Sequence, residues 1–140
     1  MNQAKVLNFF GLLLIMFGIS FVITLFVAIF YGDSLIRVFG LGMSILVLMG
    51  FLSWFFTKDN KQELSLSDGF VITVLFWIVL SVSGSIPFIL FGFGFVDSFF
   101  ESMSGITTTG ATVIAGLDDL PKSLLIYRQL LQWLGGMGLI

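Results

Sequence analysis

Four apolar runs, residues 7–30, 35–56, 70–91 and 123–140, take up most of a 140-residue chain. The first two are about 24 and 22 residues long, enough for a helix rising ~1.5 Å per residue to cross a ~30 Å hydrocarbon layer. A bilayer core offers no water to backbone N–H and C=O groups, so such runs must satisfy those groups internally, as helices do. Only 10% of the residues are charged, against roughly 25% in soluble domains. That is too few to cover a water-facing surface, and the fold class implied is an all-α integral membrane protein. The first run is too long for the apolar core of a signal peptide and lacks a small-residue cleavage site followed by polar sequence, so it reads as a retained span.

The polar connections set the order of these spans. Tyr31-Gly32-Asp33-Ser34 is a short turn that makes the first two runs a tight hairpin, while 57–68 is the one extended hydrophilic segment. Lys58 and Lys61 in that segment, and Lys5 at the amino end, place both on the cytoplasmic side by the positive-inside rule. The turn at 31–34 and everything from 92 to 122 then face outward, with Arg37 and Lys122 running against the rule. Ser65-Leu66-Ser67-Asp68 has the Ser-x-x-acid capping pattern and starts the third span. Gly84 and Pro87 interrupt that span near its outer end, either as a simple kink or to make room for a re-entrant segment after it. The chain divides into an amino-terminal hairpin with its cytoplasmic loop, 1–64, and a second unit, 65–140.

Between the third and fourth runs lies a polar, small-residue stretch, 104–114, that is out of place in so apolar a chain. Residues 95–106 are too few to cross the bilayer and return. Ser98-Phe99-Phe100-Glu101 fits a capping box, with Asp97 adding negative charge at the positive helix end. The expected helix runs from about 99 to 105 and stops at Gly105. The next residues, Ile106-Thr107-Thr108-Thr109-Gly110-Ala111-Thr112, resist helix, because threonine is β-branched and Gly110 admits unusual backbone angles. A short helix whose negative end points at such a strand can replace the hydration shell of a cation with carbonyls and hydroxyls. The alternative is an ordinary outer loop. Against it stand Phe99, Phe100, Met103, Val113 and Ile114 on its flanks, and the lack of charge before Asp118 and Asp119.

The residues from Glu101 to Val113, Glu-Ser-Met-Ser-Gly-Ile-Thr-Thr-Thr-Gly-Ala-Thr-Val, resemble the first pore loop of the Trk-type potassium-uptake proteins, in the TrkH branch of the Trk/Ktr superfamily. Tyr127-Arg128-Gln129-Leu130-Leu131-Gln132-Trp133-Leu134-Gly135-Gly136-Met137-Gly138 resembles the helix after it, and Leu120-Pro121-Lys122 and Asp68-Gly69-Phe70 also fit. The resemblance covers essentially the whole chain. It implies two amino-terminal transmembrane helices, then a helix–pore-loop–helix repeat, the first of four around one pore. Gly110 is then the central glycine of one filter strand, and the carbonyls of Thr108, Thr109, Gly110 and Ala111 bind the ion. Potassium would sit at Thr108, Thr109 and Gly110, with Thr107, Thr112, Glu101 and Arg128 as support. It further implies a bacterial cytoplasmic membrane location, a homodimer when full length, a cytosolic nucleotide-binding regulatory subunit as partner, and uptake that is channel-like or coupled to an ion gradient. Potassium is the transported ligand, and no covalent cofactor is implied. The chain ends inside the second helix of the repeat, which is the expectation for a fragment of a longer protein.

Other residues leave two readings open. Arg128 either snorkels to the interface or pairs with Glu101 or Asp97. The glycines at 135, 136 and 138 allow close helix packing or a flexible gate. Trp54 suits an interfacial belt, whereas Trp77 and Trp133 suit burial. Asp118 and Asp119 form an outer cation-attracting mouth or a solvated turn. Thr112 stands where a Thr-Val-Gly-Tyr-Gly filter has its second glycine, which predicts modest discrimination against sodium. With neither Cys nor His, thiol chemistry, imidazole metal sites and Ser-His-Asp hydrolysis are excluded on these residues. No nucleophile–base pair is visible, so an enzyme is not expected, and the charge of −2 points to no nucleic-acid partner. The competing function is a non-conducting membrane fragment or regulatory subunit that docks on a partner.

Overall fold

The computed structural model describes residues 3–58 and 65–138, and every long element among them is a helix. Helices α1 (Gln3–Tyr31), α2 (Ile36–Thr57) and α3 (Leu66–Phe91) are each long and apolar enough to cross a membrane. A shorter α4 (Phe95–Ile106) and α5 (Lys122–Gly138) come next, with a single 3₁₀ turn at Leu117–Asp119 between them. Residues 59–64, with Lys61 and the end of the 1–64 unit, lie outside the described residues, as do 139 and 140.

α1 and α2 pack backbone against backbone. A Cβ on Gly11 would lie 2.8 Å from the Gly50 carbonyl oxygen, and one on Gly50 would lie 2.6 Å from that of Gly11. Small residues permit this approach where apolar surface has nothing to gain by leaving lipid, so van der Waals contact carries the pairing. Two polar bonds secure the same end: Asn8 Nδ2 donates to Thr57 Oγ1 at 3.1 Å, and Ser53 Oγ donates to the Leu7 carbonyl at 2.8 Å.

α3 starts at Leu66, four residues before the apolar run does. The reason is the capping box: the Asp68 N–H donates to Ser65 Oγ at 3.2 Å and the Ser65 N–H donates to Asp68 Oδ2 at 3.0 Å. The helix continues through Pro87 to Phe91. Pro87 has no N–H to donate to the Ser83 carbonyl; at the next carbonyl, that of Gly84, the Tyr127 hydroxyl donates at 2.7 Å. Gly84 makes room in a different way, because a Cβ there would strike Ser102 Oγ of α4.

Tyr127 packs α5 against all three long helices. Its ring centroid lies 5.2 Å from Phe21 of α1, 5.5 Å from Phe39 of α2 and 5.3 Å from Phe88 of α3. Each such pair is worth about 0.5–1.5 kcal/mol beyond area burial. The Ser123 N–H donates to Asp33 Oδ2 at 2.9 Å, which sets the 31–34 turn beside the start of α5. The Asn8–Thr57 bond gathers Lys5 and Lys58 at the opposite end of the hairpin. The two ends are therefore segregated as the polar connections predict.

α4 begins at Phe95, not near 99, and ends at Ile106 rather than at Gly105. Gly92, with φ 119°, caps α3, and extended Gly94 opens α4 only two residues later. That early start moves Ser98 into the helix body. The expected Ser98–Glu101 capping box is absent: the buried Ser98 hydroxyl has no partner among the described residues, and Gly94 is the cap. Asp97 does lie in the first turn, where a negative charge suits the helix dipole. Ser98, Glu101, Ser102, Gly105 and Ile106 form the buried stripe, while Phe95, Val96 and Phe100 are exposed. The small, polar face of α4 is thus its inner one.

Candidate functional site

The backbone after α4 is steered by the end of that helix. The N–H of Thr108 donates to the Gly105 carbonyl at 2.9 Å, and those of Thr109 and Gly110 both donate to the Ser104 carbonyl, at 3.0 and 3.2 Å. The peptides are trans, so each carbonyl points opposite to the N–H of its own unit. Bonding the N–H groups of 108, 109 and 110 to α4 therefore turns the carbonyls of Thr107, Thr108 and Thr109 away from it. Positive φ at Thr108 (58°) and Gly110 (73°) makes this possible. A threonine in that region is uncommon and costs energy that the surrounding bonds must offset.

Thr108, Thr109, Gly110, Ala111 and Thr112 are all exposed in this chain, and Thr107 is half-buried. Among the described residues, no hydrogen bond reaches the carbonyls of Thr107, Thr108, Thr109 or Gly110. Ala111 differs: its carbonyl accepts from Ser104 Oγ at 2.6 Å and so faces back toward α4. The Thr107 hydroxyl donates to the Met103 carbonyl at 2.8 Å and shares a hydrogen bond with Thr109 Oγ1 at 2.9 Å. The carbonyls of Thr107, Thr108 and Thr109 are thus left open on the side away from the end of α4.

Glu101 fastens the far end of that strand. Its Oε1 accepts from the Thr112 hydroxyl and, at 2.8 Å, from the Val113 N–H, while Oε2 accepts from Arg128 Nε at 2.9 Å. The carboxylate is 1% exposed and the arginine side chain 9%. Removing one member would strand the other's charge in a low-dielectric site. Of the two readings for Arg128, pairing with Glu101 is the one observed; Asp97 is exposed on the opening turn of α4.

α5 supplies the wall behind the strand. Arg128, Gln132, Gly135 and Gly136 recur at the i, i+4, i+7 and i+8 spacing of one helix face. A Cβ on Gly135 would strike the Ile106 carbonyl, and one on Gly136 would lie 3.7 Å from Thr108 Cγ2. Close packing is thus what Gly135 serves. Leu131 fills the neighbouring space, 2.9 Å from where a Cβ on Gly105 would sit. Trp133 departs from expectation: at 59% exposed it faces outward from α5 instead of being buried. Trp77 is half-buried against the core, and Trp54 lies at the hairpin end with Lys58 Nζ 5.9 Å from its ring centroid.

Across residues 35–140 the chain matches the model of the TrkH family, described as cation transport protein. The chain belongs to the TrkH family. It is 45% identical over its whole length to the Trk system potassium uptake protein TrkH of Vibrio parahaemolyticus. It is also 43% identical to TrkH of Escherichia coli K12, and 38% identical over 93% of its length to TrkG of that strain. The crystal structure of the potassium transporter TrkH from Vibrio parahaemolyticus superposes with a TM-score of 0.93 at 45% identity, covering 99% of this chain and 30% of that one. The chain spans about 30% of the length of the curated TrkH relatives it matches. Those relatives are named as transport proteins, not enzymes.

Several residues of this TrkH-family site have no individual role legible in the sequence. Ser104 acts twice, accepting two N–H bonds at its carbonyl and donating its hydroxyl to Ala111. Asp33 caps α5 from 90 positions upstream. Gln132 lies against the strand, its Nε2 3.8 Å from where a Cβ on Gly110 would be. A serine in a small-residue run and an aspartate in a turn look ordinary in sequence, because their partners are chosen by packing.

Proposed function

We propose that this chain forms the first helix–pore-loop–helix repeat of a Trk-type potassium uptake protein in a bacterial cytoplasmic membrane, with residues 107–112 as one of four selectivity-filter strands. The observation that carries this is the turning of successive peptide units onto the end of α4. The N–H groups of Thr108, Thr109 and Gly110 are spent on the Gly105 and Ser104 carbonyls, which leaves a row of outward carbonyls. Such a row can replace water around a dehydrated cation, and its field and ligand number set the preference among ions. The carbonyls of Thr108, Thr109 and Gly110 are the potassium ligands in this reading. That of Thr107 joins them, and that of Ala111 contributes least because Ser104 already occupies it.

Glu101, Arg128 and Thr112 hold the strand, and Thr107 buttresses its start. Because one strand supplies about a quarter of a cage, conduction belongs to the full-length protein with its remaining repeats. Lys5 and Lys58 lie at the cytoplasmic end, so the amino terminus is cytoplasmic. The relatives named as Trk system potassium uptake proteins support potassium as cargo. A homodimer and a cytosolic nucleotide-binding subunit belong to the same reading.

The test is to express the full-length protein in bacteria deficient in potassium uptake. Growth at low potassium and rubidium uptake should be restored, and Gly110→Asp should abolish both while the protein still reaches the membrane. Wild-type selectivity in the aspartate variant would sink the filter assignment. Failure of the unaltered protein to restore growth would favour the non-conducting docking role.

A further inference from the structure

The peptide unit joining Gly110 to Ala111 differs from its neighbours in how it is held. The units at 107–108, 108–109 and 109–110 are tied to α4 through their N–H groups, the 111–112 unit through the Ala111 carbonyl, and the 112–113 unit through Glu101. At 110–111, neither the carbonyl nor the N–H is bonded among the described residues. This is also the unit with least intrinsic restraint. Gly110 has φ 73° and no side chain to limit rotation. The rows on either side are set, yet the middle of the strand is free to turn.

Gln132 is the side chain placed to hold it. Its Nε2 is 3.8 Å from the Cβ position of Gly110, and beyond the chain neighbours no other atom comes within 4 Å of that point. It lies on the α5 face that backs the strand, four residues after Arg128 and four before Gly136. The amide is half-buried and has no hydrogen-bond partner among the described residues. It is the polar side chain in a helix segment otherwise made of Leu130, Leu131, Trp133 and Leu134. A donor and an acceptor on one flexible side chain match the free carbonyl and free N–H of one peptide unit.

We propose that Gln132 is a positioning residue that holds the Gly110–Ala111 peptide and so sets the direction of the Gly110 carbonyl toward a dehydrated monovalent cation. The proposal rests on the filter reading of residues 107–112. Its consequence is ion discrimination, because a carbonyl free to swing adapts to a smaller cation as easily as to a larger one.

Gln132→Leu, of similar size but unable to hydrogen-bond, should be made in the full-length protein, with Gln132→Met as a second apolar replacement. Discrimination is read as rubidium KM against sodium inhibition, and should fall about tenfold, the scale of one lost hydrogen bond. Maximal rate and membrane abundance should change by less than about twofold, which a general packing defect would not allow. Wild-type discrimination in both variants overturns the proposal. A second readout needs no transport: potassium should raise the Tm of the purified full-length protein more than sodium does, and that difference should vanish in Gln132→Leu. If the unaltered protein transports nothing yet this Tm difference is present and is abolished by Gln132→Leu, the transport reading fails and the positioning role stands. A Tm difference left intact in Gln132→Leu overturns the role.

Discussion

Where α1 meets α2, Gly11 and Gly50 bring two backbones into direct contact, with polar bonds only near one end. Where α4 meets α5, a buried carboxylate and guanidinium face each other and hold a strand between them. The hairpin solves a problem of shape alone: two apolar helices must stay together in lipid, and close van der Waals fit suffices. On the proposed reading the α4–α5 region keeps irregular backbone at membrane depth, which is tolerable only where its polar groups are satisfied by protein or face a water-filled path. Its buried serines, Glu101 and Arg128 are the cost of that arrangement. Apolar fit and polar accounting thus divide the molecule between them, and Tyr127 and Asp33 are among the residues that join the two parts.

Substitutions on the two sides should therefore fail differently. The largest effect is expected for Glu101→Ala, which leaves Arg128 unpaired and releases Thr112 and Val113 together. It should destabilise the full-length protein by about 3–5 kcal/mol, measured as unfolding in detergent. The charge-swapped pair Glu101→Arg with Arg128→Glu should recover part of that loss. No recovery would mean that the strand contacts matter more than the ion pair.

Gly50→Val should cost about 1–3 kcal/mol through overpacking against Gly11. It should lower membrane abundance while leaving the rubidium-to-sodium preference of the surviving protein unchanged. An altered preference would break the contrast, by showing that the hairpin reaches the proposed filter strand. Asp33→Ala is the smallest and sharpest of the set. It removes the side-chain acceptor at the start of α5 and should cost about 1 kcal/mol, as other helix caps do. Asp33→Asn keeps an acceptor oxygen and should retain most of the stability, which thermal unfolding of both variants would check.

Much of this fold is legible in the sequence because lipid imposes a simple rule. Long apolar runs must be helices, and the short 31–34 turn forces an antiparallel pair. Ser65 and Asp68 mark a helix start for local reasons, and the local bonds appear as expected. The same motif logic misleads at Ser98 and Glu101. Two glycines at 92 and 94 let the chain turn and begin α4 early. Glu101 is then free to meet Arg128, 27 positions further along the chain. The Gly84 and Pro87 pair is a case of the second kind: Gly84 is where α4 comes close, because a Cβ there would strike Ser102 Oγ.

The fourth run, 123–140, gives among the described residues a shorter α5 that is not among the helices long and apolar enough to span. From the sequence alone came the first three long apolar helices and the polar, non-helical stretch that follows α4, with Gly110 at positive φ. These depend on composition and on interactions within a few residues of each other. Tertiary structure alone decided which carbonyls face outward, that Ser104 turns Ala111 back, that Arg128 pairs with Glu101, and that Gln132 lies behind Gly110. Each of these depends on the approach of helices far apart along the chain. That approach is set by which small residues allow contact and which buried polar groups demand a partner.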